Sequence, residues 1–157
     1  MRPGVRLGID VGKVRVGVAT SDLHGMLATP VETIQRQVDG TGDVDRIGNL
    51  CAERDVLEIV VGLPLALAGH HTASTADAVA FAERIAASLP TVPVRLVDER
   101  LSTVSAHSAL RSAGKKQKGT RTIIDQVAAV IILQHALDAE RSSGIPPGSL
   151  VPSSEER

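Results

Sequence analysis

The run Leu57–Val61, closed by Gly62 and Pro64, constrains the fold of this chain more than any other segment. It reads as a strand buried on both faces, an arrangement found where a parallel sheet is covered by helices on its two sides. The segments around it agree. Val5–Val11 and Val14–Thr20 are β-branched runs separated by a Gly12-Lys13 turn, which predicts a β-hairpin. Leu27–Ile34 supplies a third strand and Val94–Val97 a fifth. Between them, residues 43–54 carry Val44, Ile47 and Cys51 at helical spacing, and Ser74–Leu89 carries Ala78, Phe81, Ala82 and Ile85 before Pro90 stops the helix. Further helices are expected at about 103–113, with Ser102 as N-cap and Gly114 as terminator, and at 123–140.

Three strands able to form a meander, followed by alternating helices and strands, predict an α/β fold: a mixed five-stranded sheet with helices on both faces. At 157 residues and 43% hydrophobic content the chain fits one domain, expected over residues 1–140. From Arg141 the composition turns to Ser, Gly, Pro and charge (RSSGIPPGSLVPSSEER), and 141–157 are expected to form a disordered tail. No apolar run approaches a membrane span and the N-terminus lacks a signal-peptide core, so a cytoplasmic protein is expected. Cys51 is the single cysteine, which excludes an internal disulfide and a four-cysteine zinc site; a buried thiol on a helix is its expected state.

Three carboxylates stand where strands end or helices begin: Asp10 in LGIDVG, Glu99 in VDERLST and Asp125 in IIDQVAA. In open α/β sheets functional groups gather at the carboxyl ends of the strands, so one pocket can collect all three. Carboxylates brought together repel unless a cation holds them, and Mg²⁺ or Mn²⁺ takes such hard oxygen ligands and serves phosphoryl chemistry. Asp98 and Glu99 are adjacent in an extended strand and point to opposite faces, so one of them reaches the metal. Asp125 has a competing explanation, because Thr122-Ile-Ile-Asp125 has the spacing of a capping box. Ala128 and Ala129, on the same helical face, are read as leaving room for metal and phosphate beside it.

Charge is nearly balanced, 17 basic against 18 acidic residues, so affinity for a polyanion has to come from local clustering. One cluster is evident. Arg111, Lys115, Lys116, Lys118 and Arg121 lie between the two late acidic motifs with no acid among them, a natural phosphate-binding run. Arg15 and Lys13 are weaker candidates of the same kind, and Arg100 either holds a phosphate or pairs with a carboxylate. Phe81 is the only aromatic residue, so no platform exists for stacking single-stranded bases, and a nucleic-acid substrate would be gripped through phosphates and shape. The histidines form no metal pattern; His70 and His71 are in a loop, where solvated side chains are the first reading and a proton donor near the substrate the second.

On these residues the chain resembles the YqgF/RuvX family of ribonuclease-H-like proteins, linked to Holliday junction resolution and to maturation of the 5′ end of pre-16S ribosomal RNA. The matching segments are GIDVG-KVRVGVATSD (8–22), LATPVETI (27–34), IVVGLPL (59–65), VDERLSTVSA (97–106) and IDQVAAVIILQHALD (124–138). After GLPL the family often has a glycine-rich loop with a basic residue, where this chain has ALAGHHTASTADA. The resemblance implies a ribonuclease-H-like fold, selects Glu99 over Asp98, and completes the acidic set with Asp125. It implies a metal-dependent endonuclease in which two Mg²⁺ or Mn²⁺ ions, about 3.5–4 Å apart, are held by Asp10, Glu99 and Asp125 and the product carries a 5′ phosphate. Expected partners are structured RNA or branched DNA and the ribosome or its precursor. Symmetric cutting of a four-way junction would also require a homodimer. Two alternatives stand beside this reading: a non-catalytic nucleic-acid-binding domain of the same fold, and the actin-like ATPase and sugar-kinase fold, whose two-domain cleft does not fit this length.

Overall fold

The computed structural model describes residues 1–66, 68–99 and 118–152. Strands β1 (Val5–Val11), β2 (Arg15–Ser21) and β3 (Ala28–Gln35) form an antiparallel meander. Helix α1 (Gly42–Arg54) leads into β4 (Val56–Leu63), and α2 (Ala73–Ser88) into β5 (Val94–Asp98). Helix α3 (Lys118–Ser143) and a two-residue strand β6 (Ser149–Leu150) complete the described chain. The sheet order is β3-β2-β1-β4-β5-β6, with β1, β4 and β5 parallel and β6 antiparallel to β5.

Alternation along the strands sends consecutive residues to two different cores. Leu7, Ile9, Val16, Val18, Ile59 and Val61 pack under α1 and α2 with Ile47, Leu50, Phe81 and Ile85. Ala19, Ala28 and Val60 face the other way, against Ala129, Ile132, Leu133 and Leu137 of α3. The second face is built of small residues, and α3 therefore lies close to the sheet. A Cβ on Gly8 would stand 2.6 Å from Leu133 Cβ and 3.0 Å from the Ala129 carbonyl oxygen.

Two sequence expectations are corrected here. Among the described residues the sheet has six strands rather than five, and the segment from Arg141 to residue 152 carries regular structure: α3 continues to Ser143, β6 pairs with β5, and Val151 is buried in the core. The short strand is held by non-local contacts, including the Val151 amide donating to the Val94 carbonyl at 2.8 Å, which local composition does not reveal. Residues 153–157 lie outside the described residues. The 103–113 helix with its Ser102 cap also lies outside them. Among the described residues, no helix is long and apolar enough to cross a membrane.

Glu58 interrupts the apolar β4 run and is buried with its charge matched. It accepts from Arg95 Nε at 2.7 Å and from Arg2 Nη2 at 3.0 Å. Arg2 and the fully buried Arg6 also hold Glu140 of α3, at 2.7 and 3.1 Å, so the network ties the N-terminus, β1, β4, β5 and the end of α3 together. The bonds from Arg2 hold the Glu140 carboxyl at about 2, below its ordinary 4.5, against the opposing effect of burial. A depressed carboxylate contributes stability above its unfolded value and loses it as the pH falls through the folded one. Glu140 is therefore expected to contribute up to roughly 3 kcal/mol near neutrality, lost progressively between about pH 4.5 and 2. Thermal melts across that range check it: Glu140→Gln should melt lower than the unsubstituted chain at pH 7 and converge with it at pH 2.

Candidate active site

Asp10 is the second-last residue of β1, on the face that α3 covers, and both of its sheet neighbours are glycines. Across the antiparallel pair it faces Gly17 of β2. Across the parallel pair, one step beyond the paired Ile9 and Val61, lies Gly62 of β4. Glycine in a strand interior marks a place where something must approach the backbone closely, and each of these glycines admits one of the other predicted acids. A Cβ on Gly17 would overlap the backbone carbonyl of Asp125, so the α3 turn bearing Asp125 rests on β2 beside Asp10. A Cβ on Gly62 would overlap the carboxylate Oε1 of Glu99 and stand 2.6 Å from Ile132 Cδ1. Acids from three distant stretches are thus brought to the carboxyl edge of β1, β4 and β5.

Asp10 and Asp125 are each only 4% exposed, so their charges are largely withdrawn from water. Arg15, at the start of β2, donates from Nε to Asp125 Oδ2 at 3.1 Å and retains 24% of its side-chain exposure. Glu99 and Asp98 both line a cavity of about 250 Å³ between β5 and α3, whose other walls include Val97, Ile132, His135 and Ala136. Asp98, Glu99, Asp10 and Asp125 all have polar partners in the fold.

The donor set is all carboxylate oxygen, which suits a hard divalent cation. The glycine cradles at Gly17 and Gly62 fit the same group, since they let a strand end and a helix approach either side of Asp10 without intervening side chains. Among the described residues, no three His, Cys, Asp or Glu side chains stand within joint reach of one ion.

Several expectations change in detail. Helix α3 begins at Lys118, so Asp125 lies in its third turn and the capping-box reading of Thr122 and Asp125 is overturned. Ala128 and Ala129 are fully buried, so their small size serves close packing of α3 on the sheet rather than open space for an ion. Arg15, read as a phosphate contact, is bonded to Asp125. Lys13 is exposed in the β1–β2 turn beside Arg36, which donates to the Gly12 carbonyl and to Asp77. Lys118 and Arg121 fall in the opening turns of α3, while Arg100, Arg111, Lys115 and Lys116 lie outside the described residues. His70 and His71 are exposed between β4 and the α2 cap at Thr72. Cys51 is buried on α1, where desolvation pushes its thiol up to about 11. Sequence reasoning missed Gly17 and Gly62, although glycines inside β-branched runs were a readable signal.

Comparison with known proteins assigns a family and a fold. A family model described as "RuvX: Holliday junction resolvase" matches residues 4–139. A protein of Leifsonia xyli subsp. xyli named "Putative pre-16S rRNA nuclease" is 66% identical over 148 residues, covering 94% of each chain. One of the same name from Clavibacter michiganensis subsp. michiganensis is 60% identical over 152 residues, covering 97% of this chain and 94% of its own. Among solved structures, T. thermophilus RuvC in complex with Holliday junction substrate superposes with a TM-score of 0.54 at 19% identity, covering 92% of this chain and 99% of that one. At that identity the likeness concerns the fold, which is the ribonuclease-H-like α/β architecture expected from the sequence.

Proposed function

The chain belongs to the RuvX family, and from that premise we propose that it is a divalent-metal-dependent endonuclease that hydrolyses phosphodiesters in structured nucleic acid. The observation that carries this reading is the convergence of Asp10, Glu99 and Asp125 through the gaps left by Gly17 and Gly62. These three would hold Mg²⁺ or Mn²⁺, which when bound supplies an activated water and neutralises charge on the leaving 3′ oxygen. A domain used only for binding would have no need to concentrate three carboxylates against a polyanion, where each one repels phosphate.

The rest of the reading concerns what the chain's own residues do. Burial of Asp10 and Asp125 fixes their carboxylates from the strand and from the helix, so little side-chain freedom is lost when they take up their ligand. Lys13 and Arg15, at the hairpin end beside Asp10, and the basic run Arg100, Arg111, Lys115, Lys116, Lys118 and Arg121 are the phosphate-binding groups of this proposal. The substrate we favour is precursor 16S rRNA, the one in the name of relatives at 60–66% identity. A four-way DNA junction is the second reading, favoured by the family description.

A matched panel decides between them: a pre-16S 5′ leader hairpin, a four-way DNA junction and linear duplexes, each with Mg²⁺, Mn²⁺ or EDTA. Metal-dependent cutting of the leader in preference to the junction is the expected result. Preferential, symmetric cutting of the junction would assign DNA as the substrate, and tight binding to the panel with no cutting would leave a binding module in place of an enzyme.

A further inference from the structure

The Arg15–Asp125 pair occupies the position where the proposed metal site has to form. Arg15 leaves β2 on the same face as Gly17, two residues away, and Gly17 is the residue whose missing Cβ admits the Asp125 backbone. The guanidinium therefore reaches Asp125 Oδ2 across the gap that brings Asp125 next to Asp10, at 3.1 Å. Arg15 is one positive charge beside a nearly buried carboxylate, and its remaining side-chain exposure leaves it a route outward to solvent.

We propose that Arg15 is a resident counter-cation for Asp125, which a divalent metal displaces when the site closes, and that the released guanidinium then turns to the phosphate of the bound strand. This rests on the metal-dependent reading above and makes Arg15 a positioning residue before metal binds and a substrate contact afterwards. The physical logic is exchange. A buried carboxylate without a cation is costly, and Arg15 supplies one to Asp125. A divalent ion offers the same carboxylate twice the charge, and a guanidinium set free beside it matches the paired oxygens of a phosphodiester. The exchange also couples metal loading to the appearance of a substrate contact, so each favours the other.

The first test is Mn²⁺ affinity measured by calorimetry on the full chain and on Arg15→Gln. Without Arg15 the ion no longer competes for Asp125, and its binding is expected to tighten by roughly tenfold, the weight of one charge-assisted hydrogen bond. Binding of nucleic acid in Ca²⁺ should weaken in the same variant, because the released contact is missing. Equal or weaker Mn²⁺ binding by a folded Arg15→Gln chain would overturn the exchange while leaving the metal site intact. A full chain that takes up no Mn²⁺ would overturn both.

The second test needs no loss of the arginine. The Nε–H signal of Arg15, assigned by its disappearance in Arg15→Lys, is followed in a nitrogen-correlated NMR spectrum as Mg²⁺ is added. Exchange moves that signal toward the solvated position and speeds its exchange with water in step with metal binding. If signals of Asp10 and its neighbours titrate with Mg²⁺ while Arg15 Nε–H stays where it was, Arg15 is a static partner and the proposal fails.

Discussion

Asp10→Asn is expected to lower cleavage by about 10³-fold or more, with the protein remaining folded. Asparagine keeps the shape of the side chain and removes the charge, so what is lost is the acid at the centre of the proposed site. A loss of that size corresponds to about 4 kcal/mol of transition-state stabilisation. Stability should move little, because asparagine fills the same buried volume and keeps an oxygen and a nitrogen for hydrogen bonding. Single-turnover cleavage paired with a thermal melt separates the two effects. A variant that loses activity only in proportion to a lower melting temperature would place Asp10 among structural residues.

The second large effect is on the scaffold. Gly17→Ala puts a methyl into the backbone carbonyl of Asp125, and a main-chain atom in a packed helix cannot swing aside as a side chain does. Helix α3 must lift from β2, and the cost is expected to be about 3 kcal/mol or more, near 10 °C in melting temperature for a domain of this size. Activity should fall further than stability, since the helix that moves carries Asp125. Gly48→Ala in α1 is the matched control: there the added methyl meets only Leu89 Cδ2 at 3.1 Å, the end of a flexible side chain, and alanine improves the helix by up to about 1 kcal/mol. Parallel melts of the two variants should therefore shift in opposite directions. Equal shifts would mean that the Gly17 contact carries no special load.

The contrast between these glycines also marks how far the sequence could be read. Strands β1, β2 and β4 were legible because β-branched runs bounded by Gly12-Lys13 and by Gly62 and Pro64 are strong local signals. The three acids were legible because each sits at an element boundary. The start of α3 was not, since the segment from Lys118 to Thr122 is polar and shows no apolar periodicity, so the helix seemed to begin near Asp125. Strand β6 was hidden for a different reason: two residues amid Gly, Pro and Ser gain their place from the edge of β5, a partner more than fifty residues away. Arg15 was recognised as a useful cation but its partner was not, because the contact with Asp125 spans 110 positions and depends on a glycine between them.

Metal-dependent cleavage by this chain requires the joint action of Asp10, Glu99 and Asp125. Crystals of the full chain soaked in Mn²⁺ and measured for anomalous scattering test it without reference to any substrate. An anomalous peak is expected at the carboxyl edge of β1 and β4, within roughly 2.0–2.4 Å of carboxylate oxygens from all three residues and with Arg15 turned away from Asp125. Ordered Mn²⁺ held elsewhere on the chain, or no ion at this edge with Arg15 still bonded to Asp125 at saturating metal, would contradict it.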